Sequence, residues 1–292
     1  MKKFKLIPFA IAAALLLSFQ SSKAQIVTPQ PSPAGSVSST VGLTDIKISY
    51  FRPQMKGRKI FGEGGDFLVP FGQRWRAGAN SGTTVSFSTD VQVAEQPVPA
   101  GEYLVILTPG AKEWEVILYA DKSLGSNING TEEDKITVKA NVPATKLTEA
   151  VQTLTYQIAD ISENSENANL QLAWENTAVN IPVKVSFDEA IMKSIAANTV
   201  VNPNNLIAAA RYYYNSDRDL DQALTWVNSY LATGDNSKQF WNVHLKAQIL
   251  AKKGDKKGAI KAANESKTLA ANSPQGDFGY VKRNEALIAS LK

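Results

Sequence analysis

The sequence predicts an all-β sandwich or jelly-roll-like domain over residues 37–187, followed by a small all-α domain over residues 188–292. Two different periods of apolar residues support this fold class. From about Val37 to Phe187, apolar and polar residues alternate, which is typical of strands with one buried face. After Phe187 the apolar residues recur every three or four positions, which is typical of amphipathic helices.

Residues 1–24 have the pattern of a secretory signal peptide. Three lysines precede an apolar stretch from Leu6 to Phe19, and Ser22 and Ala24 offer the small residues of a cleavage site. The stretch is shorter than the roughly 20 apolar residues that span a bilayer. We therefore expect cleavage after Ala24, a periplasmic or secreted protein, and no membrane span after signal cleavage.

Residues 25–36 contain three prolines and predict a flexible leader. The signal peptide holds four of the 31 basic residues and no acid, which leaves 27 basic and 27 acidic residues in the mature chain. A net charge near zero argues against nucleic acid as a partner. The chain has no cysteine, so it has neither disulfides nor thiolate metal ligands.

The β region reads as about eight or nine short strands with no helical pattern between them. Most of them have one apolar face, as in Val179–Phe187. The segments Tyr103–Leu107 and Trp114–Tyr119 are apolar on both faces, and a turn over residues 108–113 joins them as a hairpin. Strands buried on both faces belong in the middle of a packed sheet, so we expect a sandwich.

Polar caps mark the helices of the second region. Asn202, Asp219 and Asp255 each stand before a helical pattern, and Ser186 with Glu189 has the spacing of a capping box. The segment 255–259 repeats the pattern of 219–223 after 36 residues. The stretch Gly254–Ile260 resembles the turn and second helix of a tetratricopeptide repeat, whose period is about 34 residues. This resemblance implies a short helical hairpin that offers a surface to another envelope protein.

The block from Tyr50 to Asn80 is the candidate binding segment. It combines six glycines with aromatic and basic side chains between two strand patterns. Arginine recognises carboxylate or phosphate through two hydrogen bonds, and a neighbouring tryptophan can stack on a sugar. An anionic or sugar-like small ligand would then be bound by six residues: Arg52, Arg58, Arg74, Trp75, Arg76 and Asn80.

A structural role for the same block is the alternative. In that interpretation Phe61, Phe71 and Trp75 close an open end of the sandwich, and the arginines pair with Glu63, Asp66 or main-chain carbonyls. Ordered loops on rigid sandwiches serve both purposes, so the residues alone leave the two interpretations open.

The β region resembles a family of exported bacterial proteins known only as a domain of unknown function. The resemblance covers roughly residues 34–187 and is most specific at KGRKIFG (56–62) and WRAGAN (75–80). It implies an exported β-rich domain and carries over no catalytic residue. The helical tail lies outside it.

Catalytic and cofactor motifs are missing from the sequence. The only histidine, His244, lies in a predicted helix, and no nucleophile elbow, phosphate loop or dinucleotide fingerprint occurs. We therefore expect no cofactor and no metal, and we favour a non-catalytic binding or structural protein of the cell envelope. The alternative is an envelope-carbohydrate hydrolase with a carboxylate pair, for which the candidate acids are Glu102, Glu113, Glu115 and Glu175.

Overall fold

A computed structural model describes residues 28–199, 202 and 204–292. The predicted signal peptide and the first residues of the predicted leader lie outside this part of the chain. The chain divides between Ser186 and Phe187 into two compact units, a β domain and a helical region, and each is described by itself. The predicted fold class is confirmed: a large antiparallel β domain precedes an all-α region.

The described part of the β domain contains eleven strands. In chain order they are β1 (Ala34–Val41), β2 (Thr44–Phe51), β3 (Phe61–Gly62), β4 (Val69–Pro70), β5 (Thr83–Phe87), β6 (Val91–Val93), β7 (Gln96–Val98), β8 (Gly101–Thr108), β9 (Glu113–Tyr119), β10 (Ile136–Ala159) and β11 (Asn167–Val185). Nine of them form one antiparallel sheet in the order β1-β2-β5-β8-β9-β10-β11-β6-β7. Strands β3 and β4 form a separate parallel pair inside the candidate block. Strand β1 begins at Ala34, within the segment predicted as leader.

The two long strands depart from the expectation of short strands only. β10 has 24 residues and β11 has 19. The first part of β10 pairs with β9, and its second part pairs with β11 across two register shifts. Glu175, which pairs with Val151 between the two shifts, takes a left-handed φ of 52° in the middle of β11. Such bulges bend a strand and break its alternation, which explains why the sequence reads as several shorter strands.

The sheet curves until its first strands meet the second part of β10. Gln54, just after β2, forms an isolated antiparallel bridge with Thr153. The Leu154 amide donates to the Pro53 carbonyl at 3.0 Å. The interior between these strands is apolar, and strands β8 and β9 are buried on both faces because the segment 121–135 covers their outer side. The prediction that these two strands occupy the middle of a packed sheet is therefore confirmed.

The described helical region contains six α-helices. They are α1 (Asp188–Asn198), α2 (Asn204–Asn215), α3 (Leu220–Leu231), α4 (Phe240–Lys252), α5 (Lys256–Ala271) and α6 (Tyr280–Ser290). The carboxylates of Asp219 and Asp255 accept amide hydrogen bonds at the starts of α3 and α5, as predicted. The predicted capping box is wrong, because Phe187 occupies the cap of α1 and no side chain bonds to the free amides there.

Short connections place successive helices side by side. Ala210 of α2, Ala223 and Val227 of α3, and Leu245 of α4 belong to one buried cluster. A second cluster joins α4 to α5 through small residues such as Ala247, Ala259 and Ala263. Alanine at these contacts allows the helix axes to approach closely. Within the described residues, no helix has the length and apolar character needed to cross a membrane.

Candidate functional site

Phe61 and Trp75, two aromatic residues of the Tyr50–Asn80 block, point into the β domain. Phe61 is 7% exposed and Trp75 is 8% exposed. The Phe61 ring lies 5.7 Å from Trp75, 4.7 Å from Trp114 and 5.9 Å from Trp174 between ring centroids. The Trp75 indole donates to the Gly78 carbonyl at 3.0 Å and stacks on Trp174. Trp75 therefore presents almost no free ring surface on which a ligand could stack.

The first two candidate arginines bind main-chain carbonyls. Arg52 Nε donates to the Leu154 carbonyl on β10 at 3.4 Å, which fastens the start of the block to the sheet. Arg58 donates to the Met55 carbonyl at 3.0 Å and to the Gln54 carbonyl at 2.7 Å. These bonds close a local turn, so both guanidinium groups have partners that do not depend on a ligand.

The remaining candidates point to other parts of the domain. Arg74 donates to the Thr131 hydroxyl in the segment that covers the outer face of β8 and β9. Arg76 Nε is buried and has no hydrogen-bond partner among the described residues. Asn80 has a left-handed φ of 54°, and its amide approaches the Ser32 carbonyl at 3.5 Å. Five of the six candidate residues thus have separate partners, and the sixth, Arg76, has none for its Nε among the described residues.

The carboxylates of the hydrolase alternative also have local partners. Glu102 pairs with Lys122, and this ion pair lowers the pKa of the Glu102 carboxyl. Glu175 Oε1 accepts the Ile60 amide proton at 3.1 Å, so the bulge in β11 holds the candidate block in place. In the described chain, no three His, Asp or Glu side chains are grouped so that they could hold a metal ion.

A second candidate site is a groove of about 550 Å³ in the helical region. Its walls come from alternate helices, α2, α4 and α6. Its main chemical groups are Arg211, Tyr214, Trp241, His244, Tyr280 and Arg283. Each helix contributes residues three or four positions apart, the spacing that places side chains on one helical face. The groove is thus a direct product of helical geometry in consecutive hairpins.

Two arginines give the groove its positive charge. Arg211 donates to the buried Asn242 amide oxygen at 3.1 Å, which holds its guanidinium at the wall. The Arg283 guanidinium lies 4.8 Å from the centre of the Tyr280 ring. Among the described residues, neither arginine forms an ion pair. By contrast, Arg218 outside the groove pairs with Asp188. The groove therefore presents two cations that the described residues do not neutralise.

A buried polar chain lies behind one wall of the groove. His244 Nδ1 is 2.7 Å from Asn284 Oδ1. The Asn284 amide nitrogen donates to Ser266 Oγ and to the Tyr280 carbonyl, both at 2.8 Å. Ser266 in turn donates to the Phe240 carbonyl at 2.7 Å. Asn284 and Ser266 are fully buried, so this chain fixes the orientation of the His244 ring.

Burial lowers the pKa of His244, and the nearby Arg283 lowers it further. The unfolded chain takes up a proton near pH 6.5, whereas the folded chain resists protonation. The contribution to stability is therefore present above pH 6.5 and is lost as the pH falls. We expect the unfolding midpoint of the helical region in urea to decrease between pH 7.5 and pH 5.5.

The matched comparison for this pH dependence is His244→Phe. Because His244 is the only histidine in the chain, the variant should have a flatter profile over the same range. A midpoint that rises towards pH 5.5 in the unmodified protein would contradict the neutral, buried state of His244.

The sequence interpretation missed this groove. His244 lies in a helix, as the sequence predicted, and it is 8% exposed there. Trp241, however, is 41% exposed at the groove wall. The available signal was the repetition of arginine and aromatic residues at helical spacing in α2, α4 and α6. It becomes a site only when the alternate helices are known to share one face.

Comparison with known proteins locates the β domain in a family. A family model described as "Protein of unknown function (DUF2911)" matches residues 32–183, just over half of the chain of 292 residues. No curated protein and no solved structure has a significant match to the chain. The match covers most of the segment that resembles a family of unknown function and excludes the helical region. The chain belongs to this family of proteins of unknown function.

Proposed function

We propose that this is an exported, non-catalytic binding protein of the cell envelope, and that its helical region binds an acidic segment of a partner protein. The observation that carries the proposal is the groove with Arg211 and Arg283, which have no carboxylate partner among the described residues. Arginine and tryptophan are the residue types that contribute most often to binding energy at protein interfaces. The exposed Trp241 adds an apolar contact beside the two charges.

The size and chemistry of the groove fit a short peptide. A volume of about 550 Å³ lies within the usual range for bound ligands. Asn215 and Gln248 also line it, and their side-chain amides can both donate to and accept from a peptide main chain. Carboxylates on the bound segment would form charge-assisted hydrogen bonds with the arginines. The tetratricopeptide-like pattern of the tail supports the same class of function.

We assign the Tyr50–Asn80 block a structural role within the β domain. The burial of Phe61 and Trp75, and the carbonyl partners of Arg52 and Arg58, support this role over a site for a small sugar-like or anionic ligand. The partners of Glu102 and Glu175 give the hydrolase alternative no supporting geometry. The β domain is then a stable domain to which the helical binding region is covalently joined.

The test measures peptide binding to the full chain by isothermal titration calorimetry. The probes are hexapeptides capped at both ends, in which glutamate alternates with leucine or phenylalanine, and matched peptides with glutamine in place of glutamate. We expect the acidic peptides to bind at least tenfold more tightly than their glutamine counterparts, and the difference to shrink at high salt.

Three variants locate the binding in the groove. Arg211→Gln and Arg283→Gln should each weaken the acidic peptides by about tenfold. Lys261→Gln is the matched control, because this residue is an exposed cation on α5 and does not line the groove. Equal binding of acidic and glutamine peptides, or an equal loss in all three variants, would refute the proposal.

A further inference from the structure

We propose that His244 Nε2 is a hydrogen-bond acceptor in the groove, and that it selects acidic segments that place a main-chain N–H beside a carboxylate. This inference rests on the proposed function and specifies its ligand. It makes His244 a specificity-determining residue in the groove that the two arginines line, and it follows from the direction of each hydrogen bond behind the ring.

Two hydrogen-bond partners determine the orientation of the Asn284 side-chain amide. The Tyr280 carbonyl can only accept a hydrogen bond, so the group of Asn284 that lies 2.8 Å from it is the amide nitrogen. Ser266 gives its proton to the Phe240 carbonyl, and its oxygen is therefore free to accept from the same nitrogen. Both neighbours thus require the Asn284 oxygen to face the histidine.

The contact with Asn284 determines the tautomer of His244. Asn284 Oδ1 can only accept, so His244 Nδ1 at 2.7 Å must carry a proton. A neutral imidazole has one proton, and Nε2 then keeps a free lone pair. Burial disfavours a second proton, as does the nearby Arg283 from α6. Arg211 from α2 is the other cation that lines the same groove. The tyrosines Tyr214 and Tyr280 complete the titratable groups around it.

The lone pair of His244 Nε2 is available to a ligand in the groove. His244 lines the cavity, and its ring forms no other hydrogen bond with the described residues. Its Nδ1 faces the buried Asn284, so Nε2 is the ring nitrogen left for a ligand in the groove. An acceptor in a groove that two guanidinium groups also line suits a ligand that offers a donor and a negative charge close together. A peptide N–H next to an acidic side chain has this arrangement.

Nuclear magnetic resonance can read the tautomer directly, since the untagged protein has a single histidine. In protein that contains nitrogen-15-labelled histidine, at pH 7.5, we expect Nδ1 to give the protonated, pyrrole-type signal and Nε2 the pyridine-type signal. Adding an acidic hexapeptide should shift the Nε2 signal towards the protonated type and leave Nδ1 nearly unchanged. A protonated Nε2 in the free protein would overturn the inference without any mutation.

A peptide-ester scan tests the selectivity. Each main-chain N–H of the tightest acidic hexapeptide is replaced in turn by an ester oxygen, which removes one donor and keeps the charge. We expect one position to lose about tenfold in affinity with the unmodified protein. With His244→Phe, the parent peptide should bind about tenfold more weakly and that position should become insensitive to the replacement.

The outcomes separate the two proposals. If acidic peptides still bind more tightly than glutamine peptides, but no ester position depends on His244, the acceptor role is wrong and the groove remains an acidic-peptide site. If the acidic preference itself is missing, the proposed function fails, and the acceptor role fails with it. Circular dichroism on His244→Phe checks that a loss of binding does not come from unfolding.

Discussion

Phe61→Ala is expected to destabilise the β domain by about 3–5 kcal/mol, the largest effect that we predict for a single substitution. The Phe61 ring is 7% exposed and meets Trp75, Trp114 and Trp174 at centroid distances below 6 Å. Removing it leaves a cavity between three large rings that belong to different parts of the fold, and these rings cannot all move to fill it. Urea unfolding followed by circular dichroism measures the loss.

Leu68→Ala is the matched control for Phe61, because it removes an apolar side chain from the same block at a position that is 43% exposed. Its effect should stay within about 0.5–1 kcal/mol. If Phe61→Ala costs no more than Leu68→Ala, the block does not close the interior and its aromatic residues are available for another purpose.

Asn284→Leu is expected to cost about 3 kcal/mol in the helical region. The substitution keeps the approximate volume of the side chain, but it leaves His244 Nδ1 without its buried partner and removes the hydrogen bonds to Ser266 and to the Tyr280 carbonyl. A buried polar group without a partner costs about 1–3 kcal/mol, and more than one group is affected here. Thermal unfolding followed by circular dichroism measures the change.

The matched control is Asn264→Leu. Asn264 also lies in a helix and bonds to the Ile260 carbonyl one turn earlier, but it is exposed to solvent. Water can replace its hydrogen bond, so we expect a change within about 0.5 kcal/mol. Comparable losses in the two variants would mean that the buried chain from His244 to Ser266 does not hold the helices together.

Much of the fold could be predicted because it depends on local pattern. Alternating residues such as Ile46 and Ile48 formed strands, and the caps Asp219 and Asp255 began helices. The length of β11 could not be predicted, because Glu175 adopts a positive φ that its residue type does not demand. The Glu175 side chain accepts a hydrogen bond from the Ile60 amide, 115 residues earlier in the chain, a contact that no local pattern specifies.

The candidate sites show why the function was harder to predict from the sequence than the fold. Composition alone made Trp75 and its neighbouring arginines look like a binding surface, but the tryptophan lies inside and stacks on Trp174. The groove residues Arg211, Trp241 and Arg283 come from three helices that are far apart in sequence. Their meeting depends on how alternate helices are packed, which no periodicity within one helix specifies.

The length of β10 and β11 determines how the β domain can be dissected. Because each strand belongs to both halves of the curved sheet, a cut through either one leaves unpaired amide and carbonyl groups along two exposed edges. Complementary fragments divided there would be prone to aggregate rather than fold separately. Tolerated split points, fusion sites or circular permutations belong instead in surface turns, such as the polar one at residues 160–166 that joins these two strands.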